Sequence, residues 1–326
     1  MKVTLATIGI LLVAIALGLL LGTEPIDLGR LVSDPASLDR AIVVDVRLPR
    51  VLLGVVAGAG LSIVGVALQS LLRNPLAEPF VLGVSGGAAA GATVAILLGL
   101  AGTSALGAYV TPLFAMLGGL AATALVHSLA ASSAGIESRG VNVLLAGIVV
   151  NAIASAAITF VKTLVTQAKA QELLFWLTGF LDVPGWTTLG ALALYVALGS
   201  AVLLRDAARL NVLALGNDAA EHLGVSVRGL EGRVYFASSL VVGAIVSVTG
   251  LIGFVGLLVP HALRRVVGPD ARVTMPASLA LGGAALVLCD LVSRTAFRVL
   301  HREPPVGAVT ALLGGTLFLV LLRRRA

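Results

Sequence analysis

Lysine is nearly missing from this chain: the 326 residues hold three, Lys2, Lys162 and Lys169, which follow Met, Val and Ala. A phosphate-binding loop needs its lysine directly after a glycine so that the ammonium reaches the phosphates. The chain therefore does not hydrolyse ATP by that route. Cysteine is scarcer still. Cys289 alone, in an apolar run, excludes an internal disulfide and a two-cysteine metal site, and reads as a small buried hydrophobe. The four histidines are scattered: His127 inside an apolar run, His222 in a charged stretch, His261 after Pro260, and His301 near the last run. None has the spacing of a metal site such as HExxH, and no nucleophile–base constellation emerges. No enzyme activity, cofactor or metal centre is expected. Charge is sparse as well. With 12% charged and 58% hydrophobic residues and a mean hydropathy of +1.07, the chain has more apolar surface than a soluble domain can hide. It reads as a polytopic helical membrane protein. The net charge of +6 does not point to nucleic acid, because the arginines stand at the ends of apolar runs, where membrane topology places them.

The most informative stretch is Arg47 to Gly87, RLPRVLLGVVAGAGLSIVGVALQSLLRNPLAEPFVLGVSGG. From Val51 to Leu72 it holds 22 residues without a charge, enough to cross a hydrocarbon layer of roughly 30 Å as a helix. Pro49 suits the first turn, where its missing N–H has no partner to lose. Arg73-Asn74-Pro75-Leu76 interrupts the helix, because the residue before a proline is pushed out of the α region. Around this stretch lie the other apolar runs, near 3–22, 80–100, 108–130, 141–161, 187–204, 234–248, 251–266, 276–295 and 305–322. That makes ten spans, the eighth of them short. The first lacks a small-x-small cleavage site and reads as a retained helix. Thr23 to Asp45 carries five acids and two prolines and is too polar to span. Gln167 to Gly185 is an amphipathic interruption, with Glu172, Phe175, Trp176 and Leu177 interfacial. Arg205 to Arg233 is a charged connector, in which Asn217 or Asp218 can cap a short helix ended by Gly224, with Gly216 breaking it from what precedes. Two short helices are expected there.

Ten spans place both termini on one side. That side carries 13 of the 22 basic residues, among them Lys2, Arg73, Arg139, Arg205, Arg264 and Arg323 to Arg325, so it is cytoplasmic. The outer side keeps nine, including Arg47, Arg50, Arg294, Arg298 and Arg302, an excess that needs its own cause. Asp290 is the one carboxylate deep in a run, and Arg294, four residues on, is its expected partner. Glycine pairs such as Gly54 and Gly58, Gly86 and Gly87, and Gly282 and Gly283 allow helices to approach closely in lipid.

RLPR, the small-residue run ending at Gln69, RNPLAEP and LGVSGG together resemble the FecCD/BtuC-type permease subunits of ABC importers for iron-siderophores, haem and cobalamin. The likeness continues through Phe175 to Gly179, Leu213 to Val225 (LALGNDAAEHLGV), Gly250 to Arg264 and Asp290 to Arg294, and so covers almost the whole chain. It departs from the family pattern in the last helix, at Glu303-Pro304-Pro305-Val306-Gly307 and at Gly314-Gly315-Thr316. The resemblance implies a type II ABC importer permease fold, all-α with about ten transmembrane helices, in one transmembrane domain over residues 1–326. It implies a multi-pass inner-membrane subunit without its own ATPase site. Its partners would be a second permease copy, two ATP-binding subunits and a periplasmic or lipid-anchored binding protein, and its cargo an iron chelate or a corrinoid.

Carried over residue by residue, the family pattern assigns three groups of sites. Arg47, Arg50 and Arg294 match the outer arginines that grip acidic residues of the binding protein. Asn74 and Leu76 match the inner gate, while the corresponding position before the fifth span is occupied by Gly140 and Val141. Leu213, Ala214, Leu215, Gly216, Asp218, Glu221, Leu223 and Gly224, within the coupling loop 205–233, match the segment that contacts the ATPase. The alternative is a secondary transporter of a small solute, which normally needs intramembrane ionisable groups for its coupling ion. Only Asp290 and His127 qualify.

Overall fold

The computed structural model describes residues 2–34, 36–100, 107–132, 139–182 and 185–323, and every regular element among them is helical. The chain opens with α1 (Lys2–Leu20), followed, at the end that the charge distribution reads as outer, by two short helices, α2 (Leu28–Ser33) and α3 (Leu38–Ala41), capped by the side chains of Asp27 and Ser37. A π-helical turn, Ile42–Arg47, leads into α4 (Leu48–Leu71), with Pro49 at its start. α4 is the axis of the molecule. It packs against α13, α9, α11 and α12, defined below, and is buried almost all round, which its composition allows because small and aliphatic residues occupy every face.

Two contacts show why glycine is needed along α4. A Cβ on Gly58 would lie 2.2 Å from the Gly282 carbonyl oxygen, and one on Gly65 only 1.8 Å from that of Gly256. The helices meet backbone to backbone, the close approach that replaces hydrophobic drive within lipid.

After α4 come a 3₁₀ turn, Pro79–Leu82, α5 (Val84–Leu97), α6 (Gly107–Ser132), α7 (Arg139–Leu164) and α8 (Gln167–Thr178). The second half comprises α9 (Trp186–Leu213), α10 (Asn217–His222), α11 (Val227–Thr249), α12 (Val255–Val267), α13 (Ala271–Leu300) and α14 (Val306–Arg323). The ten expected spans correspond to α1, α4, α5, α6, α7, α9, α11, α12, α13 and α14. Among the described residues, seven helices have the length and apolar composition to cross a membrane. Of the other three, α14 counts over Val306–Leu317 alone, while α5, with 14 residues, and α12, with 13, are too short, covering about 20 Å each at about 1.5 Å per residue.

They are short because both start inside the bundle. Past the break at Leu72, the chain climbs back until Pro79 touches Gly256, itself against the Leu61 carbonyl halfway along α4. α12 starts late because Gly250 and Phe254 both hold positive φ, 66° and 68°, and so break the run expected from Leu251. Irregular backbone at that depth must be satisfied by protein. Asn151 of α7 does this for α5: its Nδ2 donates to the Phe80 carbonyl at 2.8 Å and its Oδ1 accepts from the Gly86 amide at 3.0 Å. Glu78 does it for α12, with Oε1 accepting from the Phe254 amide at 2.6 Å. Pro260 likewise leaves the Gly256 carbonyl, four residues back, without its helical donor, and Gln69 of α4 turns its Nε2 towards it at 3.4 Å.

The charged stretch 205–233 departs from expectation. It holds one short helix, α10, rather than two. Asp206, Ala207 and Leu210 are buried on one face, so α9 runs on as a continuous amphipathic helix to Leu213, and α11 begins at Val227. Gly216, at φ 119°, and Gly224, at φ 80°, bracket α10 as their sequence positions predict.

Candidate functional site

At the inner end, α10 stands out on a braced platform. Beneath it, Asp206 on α9 accepts from Arg233 Nε of α11 at 2.7 Å, from Nη2 of the same guanidinium at 3.1 Å, and from Arg209. Asn211, near the end of α9, donates to Asp270 Oδ1 at 2.6 Å and accepts from the Ala271 amide at 2.8 Å, which ties α9 to the start of α13. Asp270 caps α13, and the Arg272 guanidinium beside it holds its carboxyl well below the usual carboxylate range.

The residues assigned to ATPase coupling divide by burial. Leu213 is inside the core, so it anchors the segment. Ala214, Asp218, Glu221 and Gly224 are exposed, Gly216 is half-buried, and Leu215 and Leu223 present 70% and 63% of their surface. Two bare leucines flanking two carboxylates on a charged connector form a surface suited to a protein partner.

The assigned gate residues lie on the re-entrant strap between α4 and α5. The Leu76 amide donates to Asn74 Oδ1 at 2.9 Å and the Ala77 amide to the Asn74 carbonyl at 3.1 Å, so residues 74–77 form a turn closed on itself, with Leu76 half exposed at its tip. Arg73, at φ 48°, precedes this turn and donates through Nη2 to Asn217 Oδ1, the first residue of α10. The side chains of Gly140 and Val141 lie outside the described residues, as do Arg324 and Arg325.

At the outer end the three assigned arginines are engaged inside the chain. Arg47 is 4% exposed, and its Nη1 donates to the carbonyls of Leu19 and Leu20 at 3.0 and 2.9 Å, with Nη2 on that of Glu24. Arg294, 3% exposed, donates to the Gly18 carbonyl at 3.0 Å and pairs through Nε with Asp290 Oδ2 at 2.9 Å. Arg50 bridges Asp290 Oδ1 at 2.9 Å and Glu303 Oε2 at 3.0 Å and keeps a partly exposed edge. Arg298 completes the set on the Gly22 carbonyl at 2.8 Å. The expected Asp290–Arg294 pair is therefore present, with Arg50 as an unforeseen third member.

The outer arginine excess thus has an internal cause. α1 has no basic residue in its own last turn, and Arg47 and Arg294 reach across to its terminal carbonyls, with Arg298 on that of Gly22 two residues beyond its end. Reasoning from sequence missed Arg73, Glu78 and Asn151. RNPLAEP marked a break containing the first two, but nothing in a pattern of apolar runs names the distant atoms they meet.

The sequence profile of the FecCD transport family matches residues 10–324. The chain is 41% identical to the cobalamin import system permease protein BtuC of Halobacterium salinarum, over 88% of this chain and 74% of that protein. It is 37% identical to the hemin transport system permease protein HmuU of Yersinia pestis, over 86% of this chain and 83% of that one. Among solved structures, a metal-chelate type ABC transporter in an inward-facing conformation superposes with a TM-score of 0.85 at 30% identity, over 99% of this chain and 98% of that chain.

Proposed function

The chain belongs to the FecCD transport family, and from that premise we propose how this permease subunit of an ABC importer works and what it carries. It is a multi-pass protein of the cytoplasmic (inner) membrane. In our reading its cargo is a metal chelate such as a ferric siderophore or haem, or a corrinoid; cobalamin and hemin are the cargoes named for two of its relatives. Two copies enclose the path, two ATP-binding subunits drive it, and a binding protein delivers the cargo outside. The chain itself carries no ATPase site.

The observation that carries the coupling role is the exposed set on and beside α10, with Leu215 and Leu223 bare at its two ends and Asp218 and Glu221 between them. Burying those leucines in a groove of the ATPase supplies area, and the carboxylates supply orientation. The strap bearing Asn74 and Leu76 narrows the inner end of the path. The outer face around Arg50 and Glu303 receives the binding protein. There Arg47 and Arg294 hold the frame, and the exposed edge of Arg50 is the part open to a partner's carboxylate.

The test is reconstitution in vesicles. The purified chain alone should hydrolyse no ATP. With its cognate ATPase and binding protein it should take up radiolabelled cobalamin, haem or a ferric hydroxamate only when ATP is supplied on the α10 side. Uptake driven by an ion gradient without the ATPase would establish the secondary-transporter reading instead.

A further inference from the structure

The gate strap touches the coupling helix through one long side chain. We propose that Arg73 is the positioning residue through which displacement of α10 reaches the strap at Asn74–Leu76, an inference that rests on the coupling and gating roles proposed above.

Five observations carry it. Arg73 is one of three non-glycine residues with positive φ among those described, at 48°, a conformation glycine adopts without strain. That φ ends α4, with the Asn74 amide donating back to the Gln69 carbonyl at 3.2 Å, and the position glycine usually takes at such a helix end is here held by an arginine whose side chain is engaged elsewhere. That side chain spans 144 residues of sequence to reach Asn217 Oδ1. Asn217 or Asp218 is expected to cap α10, yet the N-cap position falls on Gly216, without a side-chain cap, and the side-chain oxygen of Asn217 accepts from Arg73 instead.

The remaining two observations concern mechanics. The strap is stiff, closed by the two bonds to Asn74, and its far end is fixed where Glu78 accepts from the Phe254 amide at 2.6 Å. The end of α4 is fixed as well, since Arg264 Nη2 donates to Ser70 Oγ at 3.0 Å and to the Val66 carbonyl at 3.3 Å. A stiff segment so held can shift only as a unit, about the hinge where it leaves α4. Arg73 is that hinge, and the guanidinium connects it to the element facing the ATPase. The platform under α10 strengthens the argument, because Asp206 and Asn211 tie α10's neighbours to α11 and α13 rather than to the strap.

The test uses the full permease–ATPase complex with Cys289→Ser and a single reporter cysteine, Leu76→Cys at the strap or Leu215→Cys beside α10. Thiol labelling is followed with and without ATP. With Arg73 present, Leu76→Cys should change its labelling rate on ATP binding, and Leu215→Cys should be protected by the ATPase. Arg73→Gly relieves the backbone and deletes only the link. It should abolish the ATP response at position 76, leave the protection at 215, and lower uptake per ATP hydrolysed by about tenfold. Arg73→Lys, which keeps a donor, should restore the response. Asn217→Ala should reproduce the loss, and the Arg73→Gly/Asn217→Ala double variant should be no worse than either single change.

A full ATP response at position 76 in Arg73→Gly overturns the proposal. So does loss of protection at 215 in that variant, since Arg73 would then act on docking. Absence of protection at 215 with Arg73 in place strikes the coupling role of α10 itself, and the inference falls with it.

Discussion

The two ends of the molecule use the same side chain in opposite ways. At the outer end, Arg47, Arg50 and Arg294 are buried or half-buried and satisfied by Asp290, Glu303 and the carbonyls that end α1. At the inner end, Arg73 is exposed and makes a single bridge to α10, while the leucines and carboxylates around α10 face water. A charge buried among partners has its interactions committed to the fold, because removing any partner strands the others in a medium of low dielectric. A charge in water costs little to rearrange. The outer cluster therefore works as a clamp on α1, α4 and α13, whereas the inner end keeps its surface for something that comes and goes.

That contrast is broken most severely by Asp290→Ala. The substitution leaves Arg50 and Arg294 without their shared carboxylate and should cost about 3–5 kcal/mol, read as a fall in the unfolding midpoint of the detergent-solubilised protein. Adding Arg294→Met should recover part of the loss. If Asp290→Ala unfolds like the parent chain, the outer cluster is no clamp.

Gly65→Ala sharpens the contrast within α4 alone. The new Cβ must push the Gly256 carbonyl aside, which should cost about 1–3 kcal/mol and lower thermal stability without touching any charged group. Next comes the cap of α13. Asp270→Ala should cost about 1 kcal/mol by removing the cap and the partner of Asn211. Because Arg272 depresses the folded-state pKa of Asp270, its stabilisation is complete above the unfolded value of about 4 and is lost as pH falls through the folded one. Asp270→Asn should therefore flatten the acid limb of a stability–pH profile.

The smallest effect on stability is expected from Asp218→Lys with Glu221→Lys. Both side chains are exposed, so unfolding should shift by no more than about 0.5 kcal/mol. Affinity for the ATPase subunit, measured by titration in detergent, should nevertheless fall by about tenfold or more. A large fall in stability with intact assembly would reverse the assignment of the inner end.

Much of the membrane layout is legible from composition and spacing. Runs of apolar residues long enough to span, prolines at helix starts, and glycines bracketing α10 act locally, and the helices lie where those signals place them. One local reading went astray for want of a distant partner. The second short helix in 205–233 is absent because Asp206 is buried and paired with Arg233, a contact across 27 residues that lets α9 continue. For the outer arginines, the place at a span end is legible in the sequence, whereas the α1 carbonyls that Arg47 and Arg294 meet are not.

What the sequence determined by itself is therefore what depends on neighbours along the chain: helical class, number of apolar segments, and the break at Arg73–Pro75. Each follows from hydrophobic length or the backbone limits of proline and glycine, which need no third dimension. Only the tertiary structure decided which polar group answers which. Asn151 caps α5 from α7, Glu78 caps α12 from the strap, and Arg73 meets Asn217, pairs separated by up to 176 residues. In a medium without water, each interrupted helix must find its partner elsewhere in the protein, and that partner is fixed by packing rather than by position in the chain.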